Sequence, residues 1–161
     1  MADLREYLAR LGYAAVETYI NSGNVILQSK KEASKVRSEI ELQLPRWFAL
    51  DSERIKVLVI GKDMLVSVVE QKPSGFGDEP LKYHSDVIFL MDSDTERAFE
   101  IFSPRADVDC VWKGHGVIYS RRLSAELTKS RLSKIMVSPL YKSMTIRSWS
   151  TVMKLYEIVN R

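Results

Sequence analysis

Leu4, Tyr7, Leu8 and Leu11 recur at steps of three and four, the spacing that stacks side chains on one helical face. Asp3 is placed to cap such a helix, Glu6 follows three residues later, and Gly12 suits a left-handed ending, so the chain opens on a predicted helix. Val16 to Ile20 and Val25 to Leu27 are β-rich runs on either side of Asn21-Ser22-Gly23-Asn24, whose residues tolerate the positive φ of tight turns. They predict a β-hairpin. Val36, Ile40, Leu44 and Trp47 or Phe48 mark a second helix, in which Pro45 predicts a kink or break. Ile55 to Ile60 is short and β-branched and reads as a strand; Lys62 to Gln71 returns to helical spacing.

Lys72-Pro-Ser-Gly-Phe-Gly-Asp-Glu-Pro80 is the densest Gly/Pro segment, and the pattern restarts after it. His84 to Met91 reads as a strand and Thr95 to Phe102 as a helix. Val108 to Trp112 and Val117 to Ser120 form a second hairpin around Lys113-Gly114-His115-Gly116. One or two helices through Ser124 to Met136 and a closing helix from about Arg147 to Val159 complete the chain. The first half then runs α-β-β-α-β-α and the second β-α-β-β-α-α. With one further strand in front of the first half, both follow the split βαβ plan. The expected fold class is α+β, two ferredoxin-like halves with helices packed on one face of antiparallel sheets. The expected domains are 1–72 and 81–161, with 73–80 as linker.

Composition narrows the setting. The chain has 161 residues, 45% of them hydrophobic, enough for one sizeable core or two small ones. No stretch approaches the roughly 18–20 apolar residues of a membrane span, and the first residues lack the basic and apolar segments of a signal peptide. A single cysteine, Cys110, leaves no internal disulfide framework. A cytoplasmic location without membrane attachment is expected.

Charge is unevenly spread. Residues 1–80 hold 11 Lys and Arg against 12 Asp and Glu, whereas residues 81–161 hold 13 against 9. From Lys113 to Lys154 there are nine basic residues and one acid, Glu126. Such a field attracts anions.

Three runs carry a family resemblance: Tyr19-Ile20-Asn21-Ser22-Gly23-Asn24-Val25, then Ser130-Arg131-Leu132-Ser133-Lys134, then Pro139 through Val152 (Pro-Leu-Tyr-Lys-Ser-Met-Thr-Ile-Arg-Ser-Trp-Ser-Thr-Val). The chain resembles the bacterial family DUF 1697, a domain of unknown function. Members of that family usually begin with another strand and an Arg-Gly-Ile-Asn-Val-Gly-Gly-like segment. The resemblance thus implies the same additional strand as the element pattern. It draws attention to Asn21, Ser22, Gly23 and Asn24 without giving them a role. Ser148 and Ser150 stand where the family commonly carries Asn.

Most chemistry-bearing residues read as structural. His84-Ser85-Asp86 holds the residue types of a catalytic triad, but on a strand Ser85 faces away from the other two. His115 lies between two turn glycines and forms no metal-ligand spacing with Cys110 or His84. Gly75-Phe76-Gly77 lacks the Lys-Ser/Thr of a phosphate loop. No metal and no cofactor are expected. Trp149, Val152, Met153, Tyr156 and Val159 follow core spacing.

One conflict remains. Arg147 falls in the first turn of the predicted closing helix, where the dipole disfavours a cation unless an anion compensates. Thr145 as N-cap, Lys142 just before it, Tyr141, and Arg131 with Lys134 three residues apart on a preceding helix define an expected anion pocket. Its ligand would be a small anionic or phosphorylated molecule. Two alternatives are an enzyme acting on an anionic substrate, with Tyr141 or Tyr19 as proton donor, and a nucleic-acid-binding module. The latter lacks the aromatic signature of RNA-binding sheets. Pairing at an open sheet edge makes a homodimer a further candidate partner.

Overall fold

The computed structural model describes residues 2–19, 23–48, 55–91 and 95–161, with Lys134 described in its backbone only. The protein is α+β, with two antiparallel sheets and helices. Its contacts divide it into residues 1–62 with Arg161, and residues 63–160.

In the first unit, α1 (Ala2–Arg10) buries Leu8 fully, and Gly12 at φ +88° closes it. The amides of Gly12 and Tyr13 reach back to the carbonyls of Ala9 and Leu8, so the helix ends where the sequence places its stop. Asp3 lies inside the first turn instead of before it. β1 (Ala14–Tyr19) pairs antiparallel with β2 (Asn24–Gln28) as the expected hairpin. Asn21 and Ser22 lie outside the described residues; Gly23 takes φ +76°, and buried Asn24 donates from Nδ2 to the Tyr19 carbonyl.

Of the kink or break expected at Pro45, the break does not occur. α2 (Ala33–Trp47) runs through it and ends with the Phe48 amide on the Leu44 carbonyl. Proline so near the C-terminus costs one intrahelical bond and leaves little helix beyond to bend. Residues 55–60 are not a strand, because no strand pairs with them among the described residues. Val57 and Val59 still pack on the Leu8, Tyr13, Val36 and Ile40 core, and Glu41 Oε1 accepts from the Val57 amide at 2.7 Å. A side chain there takes the bond that a neighbouring strand would make.

The second unit takes α3 (Lys62–Glu70) from its second residue onward, then β3 (Tyr83–Leu90), α4 (Thr95–Glu100), β4 (Asp109–Lys113) and β5 (Val117–Leu123). Three 3-10 helices, Ser124–Lys129, Leu132–Val137 and Pro139–Ser143, lead into β6 (Met144–Ser148) and α5 (Trp149–Val159). The sheet order is β4-β5-β3-β6, which sets the first strand between the third and fourth.

Register assigns the sheet's faces. Ile88, Leu90, Ile118, Met144 and Ile146 meet Ala98 of α4 and Ile135 of the second 3-10 helix. The alternate positions, Val87, Phe89, Val117 and Tyr119, occupy the other face, where the Tyr119 hydroxyl donates to the Val68 carbonyl of α3 at 2.8 Å. Cover is therefore on both faces of this sheet, and β3 is buried continuously from Ser85 to Leu90.

The Gly/Pro-rich segment is part of that cover. Phe76 is fully buried against Tyr119, Trp149 and Trp112. Gly77, at φ +77°, lets its backbone pass so close to Trp149 that an added Cβ would stand 2.4 Å from Nε1. Gly77→Ala is therefore expected to destabilise by about 2–3 kcal/mol, combining left-handed strain with overpacking. Gly75→Ala, at φ +79° with Arg121 no nearer than 3.4 Å, should show the strain alone, about 1–2 kcal/mol. Equal losses in urea melts of the two variants would refute the ring contact as the cause.

Candidate ligand-binding surface

Register determines which basic residues are occupied. Lys113 pairs with Glu96 at 2.5 Å, Lys129 with Glu126 at 2.6 Å, and Lys154 with Glu157 at 2.9 Å. Arg121 lies over the Tyr83 ring at 4.1 Å and donates to the Gly75 carbonyl. Arg122 is bound to Asp86 at 2.7 Å. Glu126, the one acid of the stretch, is thus taken by Lys129. Arg131 and Lys142 remain, both exposed and with no acidic partner among the described residues.

The expected pocket at the last helix is corrected. Thr145 and Arg147 are not in a helical first turn; they lie in β6, opposite Phe89 and Val87. The N-cap is Ser148, whose Oγ accepts from the Thr151 amide at 3.3 Å. Met144 and Ile146 alternate with Thr145 and Arg147, and burial of the apolar pair against β3 fixes the segment as strand. Arg147 is half-buried and donates to Thr145 Oγ1 at 2.7 Å and to the Ile146 carbonyl at 2.8 Å. Burial holds its guanidinium below the ordinary arginine pKa.

Arg131 belongs to the opposite face of the sheet. Its amide donates to Asp109 Oδ2 at 3.0 Å, and Asp109 stands in register with Arg122, which stands in register with His84. Strand alternation places this row on the face that Thr145 and Arg147 do not share. The six expected residues therefore divide: Arg131, Tyr141 and Lys142 belong to the 3-10 segment, and Thr145 and Arg147 to β6. For Lys134 only the backbone is placed, in the second 3-10 helix.

The row around Asp109 is a buried polar cluster that the sequence did not reveal. Asp86 is 6% exposed and lies between Arg122 and His84, whose Nε2 is 3.1 Å from Asp86 Oδ1. Ser85 points away, as alternation requires, and its buried Oγ has no hydrogen-bond partner among the described residues. Asp109 accepts the amides of Arg105 and Arg131, tying two loops to the edge of the sheet. Burial alone would push its carboxyl up. The two amides, the Ser130 hydroxyl and the Arg122 charge outweigh that and hold it below its usual value. Asp86 and Arg122 are 36 residues apart, so only strand pairing brings them together.

The 3-10 segment is anchored inward and presented outward. Leu132 and Ile135 are buried and three apart, the period of a 3-10 helix, whereas Met136 and Val137 are exposed at 58% and 89%. Tyr141 and Leu127 are also exposed, and the second and third 3-10 helices pack against each other. The arrangement is an open surface of large apolar side chains and two cations with no acidic partner among the described residues. In the first unit an open groove of about 530 Å³ is lined by Ala2, Arg5, Glu6, Ala9, Tyr13, Ala15 and Val16, with none of the expected site residues. Among the described residues no His, Cys, Asp or Glu group of three or more is placed to hold a metal ion. No helix among them is long and apolar enough to cross a membrane.

Residues 1–119 match the family model DUF1697, described as a protein of unknown function. The chain belongs to this family. The DUF1697 match ends before the 3-10 segment, so the runs beginning at Ser130 and Pro139 lie outside it. The chain is also similar in structure to the conserved bacterial protein SP0830 from Streptococcus pneumoniae. That likeness has 20% identity and a TM-score of 0.82, and covers 100% of this chain and 89% of that one. At that identity it shows the fold alone. No curated protein matches the chain.

Proposed function

We propose that the protein is a binding module for an anionic ligand, held on the surface of the 3-10 segment. One observation carries this reading: the basic residues of 113–154 are mostly matched with acids or rings of their own unit, whereas Arg131 and Lys142 are exposed with no acidic partner among the described residues. Two cations on one segment, neither with an acidic partner among the described residues, lower the local cost of bringing an anion close. Tyr141 supplies a hydroxyl donor beside Lys142, and Lys134 adds a further positive charge to the same segment. Thr145 and Arg147, on the other face of the sheet, take no part in this reading.

Titration with inorganic phosphate and with a single-stranded oligonucleotide, followed by fluorescence and thermal shift, tests the reading. The double variant Arg131→Ala/Lys142→Ala should weaken anion binding about tenfold, each exposed cation contributing roughly 0.5–1 kcal/mol. On the oligonucleotide, the slope of log affinity against log salt should fall by about 1.4, from two lost phosphate contacts. Unchanged affinity in the double variant would overturn the assignment. Conversion of a phosphate ester by the wild type would move the reading to an enzyme.

A further inference from the structure

We infer that the anionic ligand of the 3-10 segment is an acidic face of another protein, with Met136, Val137 and Tyr141 as apolar anchors and Arg131 and Lys142 as flanking cations. This inference rests on the anion-binding reading and narrows its ligand class.

Exposure is the first argument. Val137 is 89% exposed and Met136 58%, so both large apolar side chains stand mostly in water. A phosphate bound at Arg131 or Lys142 would leave those side chains in water. Only a ligand that brings apolar surface of its own removes them from it. Residue type is the second: Tyr, Met and Arg are the side chains enriched where protein surfaces meet and where binding energy concentrates.

Preorganisation is the third. Ile135 packs the second 3-10 helix onto the core of the sheet, and Leu132 of the same helix is buried as well. Asp109 holds the Arg131 amide, and Ser138 Oγ accepts the Leu140 amide at 3.3 Å to start the third. The outward side chains are thus carried on backbone already in place, so little ordering entropy is lost on docking. Charge selects the partner's sign. Glu126 is consumed by Lys129, so the segment presents positive charge alone, and an acidic face is complementary while a basic one is repelled.

Two other macromolecules fit less well. A nucleic acid would need stacking platforms, and Tyr141 is the one exposed aromatic ring of the segment. A bilayer surface is met by helices with a long apolar stripe, whereas these are three short 3-10 helices.

Four probes test the inference by isothermal titration: a short amphipathic peptide of Glu and Leu, a peptide of equal charge made of Glu and Ser, phosphatidylglycerol vesicles, and oligothymidylate. The Glu/Leu peptide should bind about tenfold more tightly than the Glu/Ser peptide. Met136→Ser/Val137→Ser should erase that difference while leaving the Glu/Ser affinity unchanged. Arg131→Ala/Lys142→Ala should weaken both peptides by one common factor. All four positions are exposed, so circular dichroism and melting should match the wild type. Equal binding of the two peptides overturns the inference and leaves the anion reading standing; so does tighter binding of vesicles or oligothymidylate than of the Glu/Leu peptide. If phosphate, oligothymidylate and both peptides all fail to bind, the anion reading itself falls.

Discussion

Phe76→Ala is expected to lower the stability of the second unit by about 3–5 kcal/mol, the range for deleting a fully buried aromatic side chain. Phe76 is 0% exposed, with the rings of Tyr119, Trp149 and Trp112 at 4.9, 5.1 and 6.1 Å, each edge-on to it. Such edge-to-face pairs contribute about 0.5–1.5 kcal/mol apiece beyond area burial. Collapse into the vacated space is hindered, since Tyr119 is tethered through its hydroxyl to Val68 and Lys72 Nζ grips the Phe76 carbonyl at 2.7 Å. Phe76→Leu keeps apolar bulk but no ring edges and should lose about 1–2 kcal/mol. Urea unfolding followed by tryptophan emission measures both, with Trp112 and Trp149 as adjacent reporters. A neutral Phe76→Ala would mean that residues 73–80 only connect.

That segment marks one limit of what the sequence discloses. Its glycines and prolines announce irregular backbone, and the backbone is irregular. Composition has no term for a single phenylalanine placed among three rings from β4, β5 and α5. Local periodicity fared well where one face alone decides the element. Leu4, Leu8 and Leu11 yield α1, Val36 and Ile40 yield α2, and both hairpins form where turn residues part β-rich runs. It failed where two patterns abut. Met144-Thr145-Ile146-Arg147-Ser148 alternates with the period of a strand, but helical spacing from Trp149 onward extends the expected helix about two residues too far upstream, to Arg147. Such an extended helix sets Arg147 at the positive end of the dipole, a conflict that vanishes in β6.

Residues 55–60 failed for a different reason. β-branched composition predicts an extended backbone, whereas strand status also needs a partner, and pairing is non-local. The candidate surface was legible as an excess of charge and illegible as a site. Of nine basic residues between Lys113 and Lys154, the sequence cannot say which are neutralised, because Glu96 and Asp86 lie outside the stretch.

Asp109→Ala should cost about 3–5 kcal/mol, the penalty for breaking one partner out of a buried charged cluster. Asp109 is 3% exposed, and its removal strands the amides of Arg105 and Arg131 and takes one nearby negative charge from Arg122, which keeps its ion pair with Asp86. Asp109→Asn retains one carbonyl acceptor and should lose less, about 1–3 kcal/mol. The two variants separate charge from hydrogen bonding, and pH supplies the sign. The folded carboxyl titrates below its unfolded value near 3.9, so on acidification the unfolded chain takes up the proton first. The charge-dependent stability is complete above about pH 5 and is lost as pH falls through the folded pKa. Wild type and Asp109→Asn should therefore differ by a constant amount from neutral pH down to about 5 and converge below about 4. A gap that persists unchanged into strong acid would assign the stabilisation to packing alone. The same variant reaches the proposed surface: with the Arg131 amide less firmly held, Asp109→Asn should weaken binding of the Glu/Leu peptide while Met136 and Val137 remain intact, and full affinity there would show that the 3-10 segment does not need its anchor.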